Sequence, residues 1–240
     1  MKGQKPMYFT ETDALREMER LMQNIPNFPQ KGRSIVILQS GNRIRDDCIC
    51  CMHRRGRPPN YVCGYGESSC IVQKIRHGKA SPGEVFRETL YAAVFPPFQK
   101  RLNQYIKESE KEPMDYRNEK HRAVFESFIK KRDQNNQALM SALYLLTADF
   151  MLWRSVKYCI GNNVICFEQI RLHGTTAYSY PLFCAAKDLY LGTGCLTVSD
   201  LADKSLVPPK AFRLICNAMA IRRFGLGAIT SMKRGDDNAD

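Results

Sequence analysis

The chain has no long hydrophobic run, no surplus of acid and no common catalytic motif, and each lack removes a class of protein. Its longest apolar tract, Ala138 to Trp153, is shorter than a membrane span and is interrupted by Ser141, Thr147 and Asp149, so a transmembrane reading fails. Met1 to Asp13 holds no apolar stretch between its first lysines and first acids, which leaves no secretory signal to read. No nucleophile elbow, HExxH or DxD pattern occurs, and the glycines of GYG (64–66) and GTG (192–194) suit turns rather than a phosphate loop. His121 and His173 are isolated, and a lone histidine is more often a surface or hydrogen-bonded core residue than a ligand or base. Internal repeats and low-complexity tracts are also missing.

What is there begins with charge. Lysine and arginine number 36 against 24 acids, giving +12 and an isoelectric point near 9.3. That balance draws a protein toward polyanions, whether DNA, RNA, an acidic protein surface or an anionic membrane. A hydrophobic content of 44% in 240 residues supplies a genuine core. Ten cysteines in a chain of this size are too few for a disulfide scaffold. Reduced thiols in a cytoplasm are the expectation.

Five of the ten cysteines, Cys48, Cys50, Cys51, Cys63 and Cys70, nevertheless lie within 23 residues. Cys48 and Cys51 are separated by two residues, then a gap of eleven leads to Cys63, and six more to Cys70. Two close thiolates form a knuckle and two later ones close a tetrahedral zinc site across a loop. Cys50 and His53 are alternative ligands, and the second gap is wider than usual. Asp46, Asp47 and Glu67 are the carboxylates nearby, so a structural ion is favoured over a catalytic one with an open position. Free or redox-active thiols are the competing reading.

The same segment is basic. From Lys31 to Lys79 there are ten cations, among them Arg43, Arg45, Arg54, Arg55, Arg57, Lys74 and Arg76, against three acids, a local balance of +7. These guanidinium groups favour thiolates over thiols and suit phosphate contacts, while Tyr61 and Tyr65 suit stacking on unpaired bases. The bland alternative is a solvated basic face with two packed tyrosines.

Periodicity predicts a mostly α, α+β protein: a small Cys-rich N-terminal module with short strands, followed by an α-helical domain. A helix is expected over Thr12 to Asn24, a strand over Ser34 to Gln39, and helices over Glu67 to His77 and onward from Ser81-Pro82. The last of these breaks at Pro96-Pro97 and resumes as Phe98 to Glu110. Lys107 to Pro113 reads as a linker, dividing a basic module (1–112) from a helical domain (113–230) and a disordered tail (231–240). In the second half, Ala138 to Ile160 reads as one long buried helix, with Tyr180 to Leu191 and Lys210 to Phe224 as two more. Leu196 to Phe224 superficially suggests a helix-turn-helix presenting Lys210, Arg213, Asn217 and Arg222. Phe212, Leu214, Ile215, Met219 and Ile221 leave that helix too apolar, so ordinary hairpin packing is favoured.

The segments SALYLLTAD, AAKDLYLGTG, LTVSDLADKSLVP, KAFRLICNA and RRFG, between Ala138 and Phe224, resemble a family of small uncharacterised clostridial proteins found on conjugative elements and prophages. The resemblance implies a shared fold and a mobile-element setting, and carries over no catalytic residue. Together these features predict a cytoplasmic, zinc-stabilised accessory protein that binds nucleic acid or a nucleoprotein complex, with inhibition of a host RNA-guided nuclease as a specific form. A zinc-dependent nucleic-acid-processing enzyme and a pure protein-interaction adaptor are the rivals.

Overall fold

The computed structural model describes residues 70–90, 95–109, 116–130 and 132–230. The expected helix over Thr12 to Asn24, the strand over Ser34 to Gln39 and the tail over 231–240 lie outside them. The described residues are mostly helical, and among them β structure is confined to one isolated antiparallel bridge, Ile160 to Ile165.

Helix α1, Ile71–Arg76, starts after Cys70, which stands in extended backbone at its N-cap rather than within its first turns. Gly78 follows with φ 67°, a left-handed conformation that glycine adopts without steric penalty. The amides of Gly78 and Lys79 return to the carbonyls of Ile75 (3.1 Å) and Lys74 (2.7 Å), closing the helix end. Ser81 then opens α2, Pro82–Leu90, through a capping box. Its hydroxyl accepts from the Glu84 amide (3.2 Å) and its own amide donates to the Glu84 carboxylate (3.0 Å).

Helix α3, Pro96–Ser109, begins at the two prolines instead of after them. First-turn residues need no intrahelical N–H partner and proline presets their φ, so proline serves as a helix start here. Lys107 and Ser109, expected in a linker, belong to its last turn, where the buried Ser109 hydroxyl donates to the Ile106 carbonyl at 2.8 Å.

Helix α4 is Glu119–Ile129 and α5 is Gln137–Leu146, capped by the side chains of Asn118 and Asn136. The single helix expected from Ala138 to Ile160 is divided. Thr147 ends α5, and Asp149 caps a new helix, α6, Phe150–Val156, by accepting from the amides of Met151 and Leu152 at 3.1 Å each. Arg117 fixes this corner by donating to the Ala148 carbonyl (2.9 Å) and to the Asp149 carboxylate (2.8 Å). After a 3₁₀ turn at Lys157–Cys159 come α7, Ser179–Leu191, α8, Val198–Ala202, α9, Pro209–Phe224, and α10, Gly227–Thr230.

Helix α5 is buried on all sides from Leu139 to Leu146, and α9 is buried nearly all round from Ala211 to Ile221. They pack on each other and both pack on α7. Helices α2 and α3, on the N-terminal side of residue 112, share one continuous apolar cluster with α5, α7 and α9 on its other side. Phe98 and Tyr105 of α3 meet Phe212 of α9 edge to face, at 5.9 and 6.2 Å between ring centres. Phe212, Leu214, Ile215, Met219 and Ile221 are all buried, and Asn217 is fully buried rather than presented to a groove.

Candidate nucleic-acid interface

Of the residues expected to hold zinc, Cys48, Cys51 and Cys63 lie outside the described residues, as do Arg43, Arg45, Arg54, Arg55, Arg57, Tyr61 and Tyr65 of the expected nucleic-acid face. Cys70, Lys74 and Arg76 lie within them, on or beside α1. Cys70 is 3% exposed and packs against Ile71 and Val72. The Lys74 ammonium pairs with the Glu84 carboxylate, tying α1 to α2. Burial pushes the Glu84 carboxyl up, but the Lys74 and Ser81 hydrogen bonds outweigh it and hold the group below its ordinary range. Arg76 and Lys79 are exposed. Among the described residues no group of three or more His, Cys, Asp or Glu is placed to hold a metal ion.

Much of the arginine in the helical body is structural. Arg101 is 6% exposed, and its guanidinium donates to the carbonyls of Leu201 (2.7 Å), Asp203 (3.1 Å) and Val207 while lying 4.2 Å over the Phe212 ring. It therefore anchors the α8–α9 connection onto α3. Arg132 binds the carbonyls of Phe128 and Gly161, Arg213 pairs with Glu108, and Arg222 donates to the Leu189 carbonyl at 3.0 Å. A guanidinium presents five donors in a rigid fork, which suits it to gathering several main-chain oxygens at once. These charges still contribute to the field, but each already has donors engaged within the protein.

Among the described residues, exposed cations are spread over several elements, Lys120, Lys130, Arg171, Lys204 and Lys210 among them, and two groups stand beside features of their own. On the outer face of α3, Lys100 and Lys107 stand with Gln99, Asn103 and Gln104 along an exposed stripe, beside an open groove of ≈ 560 Å³. On α6 and the turn after it stand Arg154, exposed, and Lys157, half-buried. None of these four cations forms an ion pair among the described residues. The stripe on α3 was hidden to sequence reading by the placement of Lys107 in a linker. The outward face of α6 was hidden by the reading of residues 138–160 as one buried helix.

The remaining polar candidates have structural roles. His121 is a hydrogen-bonded core residue, while His173 is exposed. Cys184 and Cys216 are buried, and Cys159, Cys166 and Cys195 are half-buried. Burial pushes the Cys216 thiol well above its ordinary range, which keeps it protonated and inert. Asp188, fully buried in α7, takes part in the GTG turn: its carboxylate accepts from the Thr193 hydroxyl (2.6 Å) and from the amides of Cys195 and Leu196 (2.8 Å each). No helix among the described residues is long and apolar enough to cross a membrane. Comparison of the chain with protein-family models, curated proteins and solved structures finds no match.

Proposed function

We propose that this protein binds nucleic acid or a nucleoprotein through a basic segment, anchored by zinc at Cys48, Cys51, Cys63 and Cys70, that leads into the helical body at α1. The observation that carries this reading is the contrast in how cations are used. Several arginines of the body are turned onto carbonyls and carboxylates, whereas the stretch from Lys31 to Lys79 concentrates ten cations against three acids. That stretch runs directly into α1, where Cys70 is buried and Arg76 and Lys79 face solvent. Zinc bound by four thiolates would fix the backbone of a segment rich in arginine, reducing the ordering entropy lost when phosphates are engaged. Phosphate contacts from Arg54, Arg55 and Arg57 would then supply affinity without sequence preference.

Purification of the native chain, with metal measured per chain and binding to oligonucleotides followed across salt concentration, tests this directly. One zinc per chain, lost on replacing Cys48 and Cys51 with serine, and affinity falling steeply with salt are expected. A metal-free protein, or binding insensitive to salt, overturns the reading and favours a protein-interaction adaptor.

A further inference from the structure

Two aromatic side chains of α6 and the turn after it are turned outward. Phe150 is 70% exposed and Tyr158 is 86% exposed, although burying either ring would stabilise the fold by about 2 kcal/mol or more. Between them in sequence, at positions i+4 and i+7 from Phe150, are Arg154 and Lys157. The Arg154 guanidinium lies 5.8 Å from the centre of the Phe150 ring, and the Lys157 ammonium 4.6 Å from the centre of the Tyr158 ring. Each exposed ring thus has its own cation, and neither cation is spent on an ion pair among the described residues.

The support beneath this face is firm. Leu152 and Val156 are buried, and Trp153 packs edge-on against Phe128 at 4.8 Å between ring centres. Asp149, the acid at the start of α6, is taken up by the two amides it caps and by Arg117. The 171–174 loop closes one side: the His173 amide donates to the Ser155 hydroxyl at 3.4 Å, and a methyl added at Gly174 would meet the end of Met151 at 3.4 Å.

We infer that Phe150, Arg154, Lys157 and Tyr158 form a stacking surface for unpaired nucleotides of a single-stranded nucleic acid. At about 1.5 Å per residue through α6 and about 2.0 Å through the 3₁₀ turn that holds Tyr158, Phe150 and Tyr158 are roughly 13 Å apart along the chain axis, which suits a short, extended run of nucleotides. Rings stack on bases regardless of sequence, and a neighbouring cation meets the phosphate that each base carries. Charge decides between polyanion and apolar partner, because an apolar partner helix would strand Arg154 and Lys157 between the two rings. An anionic lipid surface is less suited, since Arg154 and Lys157 separate Phe150 and its neighbour Met151 from Tyr158, so the outward face presents no continuous apolar stripe. This inference deepens the proposed function and rests on its nucleic-acid reading, but it adds a second contact region distant in sequence from the cysteine segment.

The test uses the full chain with fluorescent 12-nucleotide oligouridylate and oligothymidylate, a duplex of equal length, and vesicles of phosphatidylcholine and phosphatidylserine. Phe150→Ala and Tyr158→Ala are each expected to weaken single-strand binding roughly tenfold or more, with Tyr158→Trp restoring it and duplex binding little changed. Both rings are on the surface, so thermal melts of these variants should match the parent. The emission of Trp153, the single tryptophan of the chain, should shift on adding single strands. Parent-like binding by both alanine variants overturns the stacking surface while leaving the basic segment as the binding site. Single-strand binding that depends on Phe150 and Tyr158 but survives loss of Arg54, Arg55 and Arg57 supports the surface and overturns the basic segment. No binding to any oligonucleotide overturns both, and vesicle binding lost in the alanine variants would then assign the face to lipid.

Discussion

His121 of α4 donates its Nε2–H to the main-chain oxygen of Tyr144 in α5 at 2.8 Å, while its Nδ1 accepts the amide of Arg117 at 3.1 Å. Both ring nitrogens are thus satisfied by the neutral imidazole and only by the tautomer with hydrogen on Nε2. Around it, Tyr116, Phe125 and Tyr144 place their ring centres within 6.4 Å. Burial, together with the nearby Arg117 charge, lowers the pKa to about 4 even though the Tyr144 carbonyl favours the proton.

This depression makes stability fall with acid. Between pH 6.5 and about 4 the unfolded chain binds a proton at this site that the folded chain refuses, so stability rises with pH through that window and is flat above it. The full span corresponds to about 3 kcal/mol. Urea denaturation at pH 7 and pH 5 should show the loss, and His121→Gln should remove this step even where its stability at pH 7 is lower. An unchanged pH slope in that variant contradicts the assignment.

Asn217 joins the two halves of the core. Its Oδ1 accepts from the Tyr105 hydroxyl at 2.8 Å and its amide donates to the Tyr144 hydroxyl at 3.1 Å. Asn217→Leu removes one partner from each of two buried hydroxyls and is expected to destabilise by about 1–3 kcal/mol, more than Tyr105→Phe, which deletes donor and hydroxyl together. Chemical denaturation of both variants gives the comparison, and a larger loss for Tyr105→Phe runs against it.

Arg101→Met keeps the apolar stem against Phe212 but removes the guanidinium donor from the carbonyls of Leu201, Asp203 and Val207, leaving Asp203 the Val207 amide alone. A loss of about 2–4 kcal/mol is expected. Arg101→Lys should recover only part of it, since one ammonium cannot reproduce the fork. Amide hydrogen exchange should quicken first in residues 201–208. Uniform quickening across the core would mean that the anchor is not local.

Asp188→Asn tests the α7–α8 connection. The asparagine amide turns a donor toward a site where two main-chain amides and a hydroxyl already donate, so a cost of about 1–3 kcal/mol is expected. Thermal melting measures it directly. A neutral result would show that a single oxygen is enough to hold the turn.

Local punctuation of the fold was legible in the sequence. Ser81-Pro82 and Pro208-Pro209 mark true helix starts, and Gly78, Gly192 and Gly225 stand at ends with positive φ, because capping and left-handed turns depend on a few neighbouring residues. The apolar side of α9, with Phe212, Leu214, Ile215, Met219 and Ile221, could be read for the same reason. The break at Thr147–Asp149 could not: the apolar pattern runs through it, and the corner is secured by Arg117, 32 residues earlier. Proline at 96 and 97 was open to two readings, since it can end one helix or begin another.

The candidate interface divides in the same way. Sequence by itself determined the charge of +12, the crowding of thiols and guanidinium groups before residue 80, and the apolar content that makes a helical core favourable, because these depend on which residues are present and on their short-range spacing. Only the tertiary structure decided which cations have donors engaged by other segments, as at Arg101 and Arg222, and which face water, as at Lys100 and Arg154. A side chain's hydrogen-bond partners lie on segments distant along the chain, and folding alone brings a carbonyl to one guanidinium and leaves solvent around another.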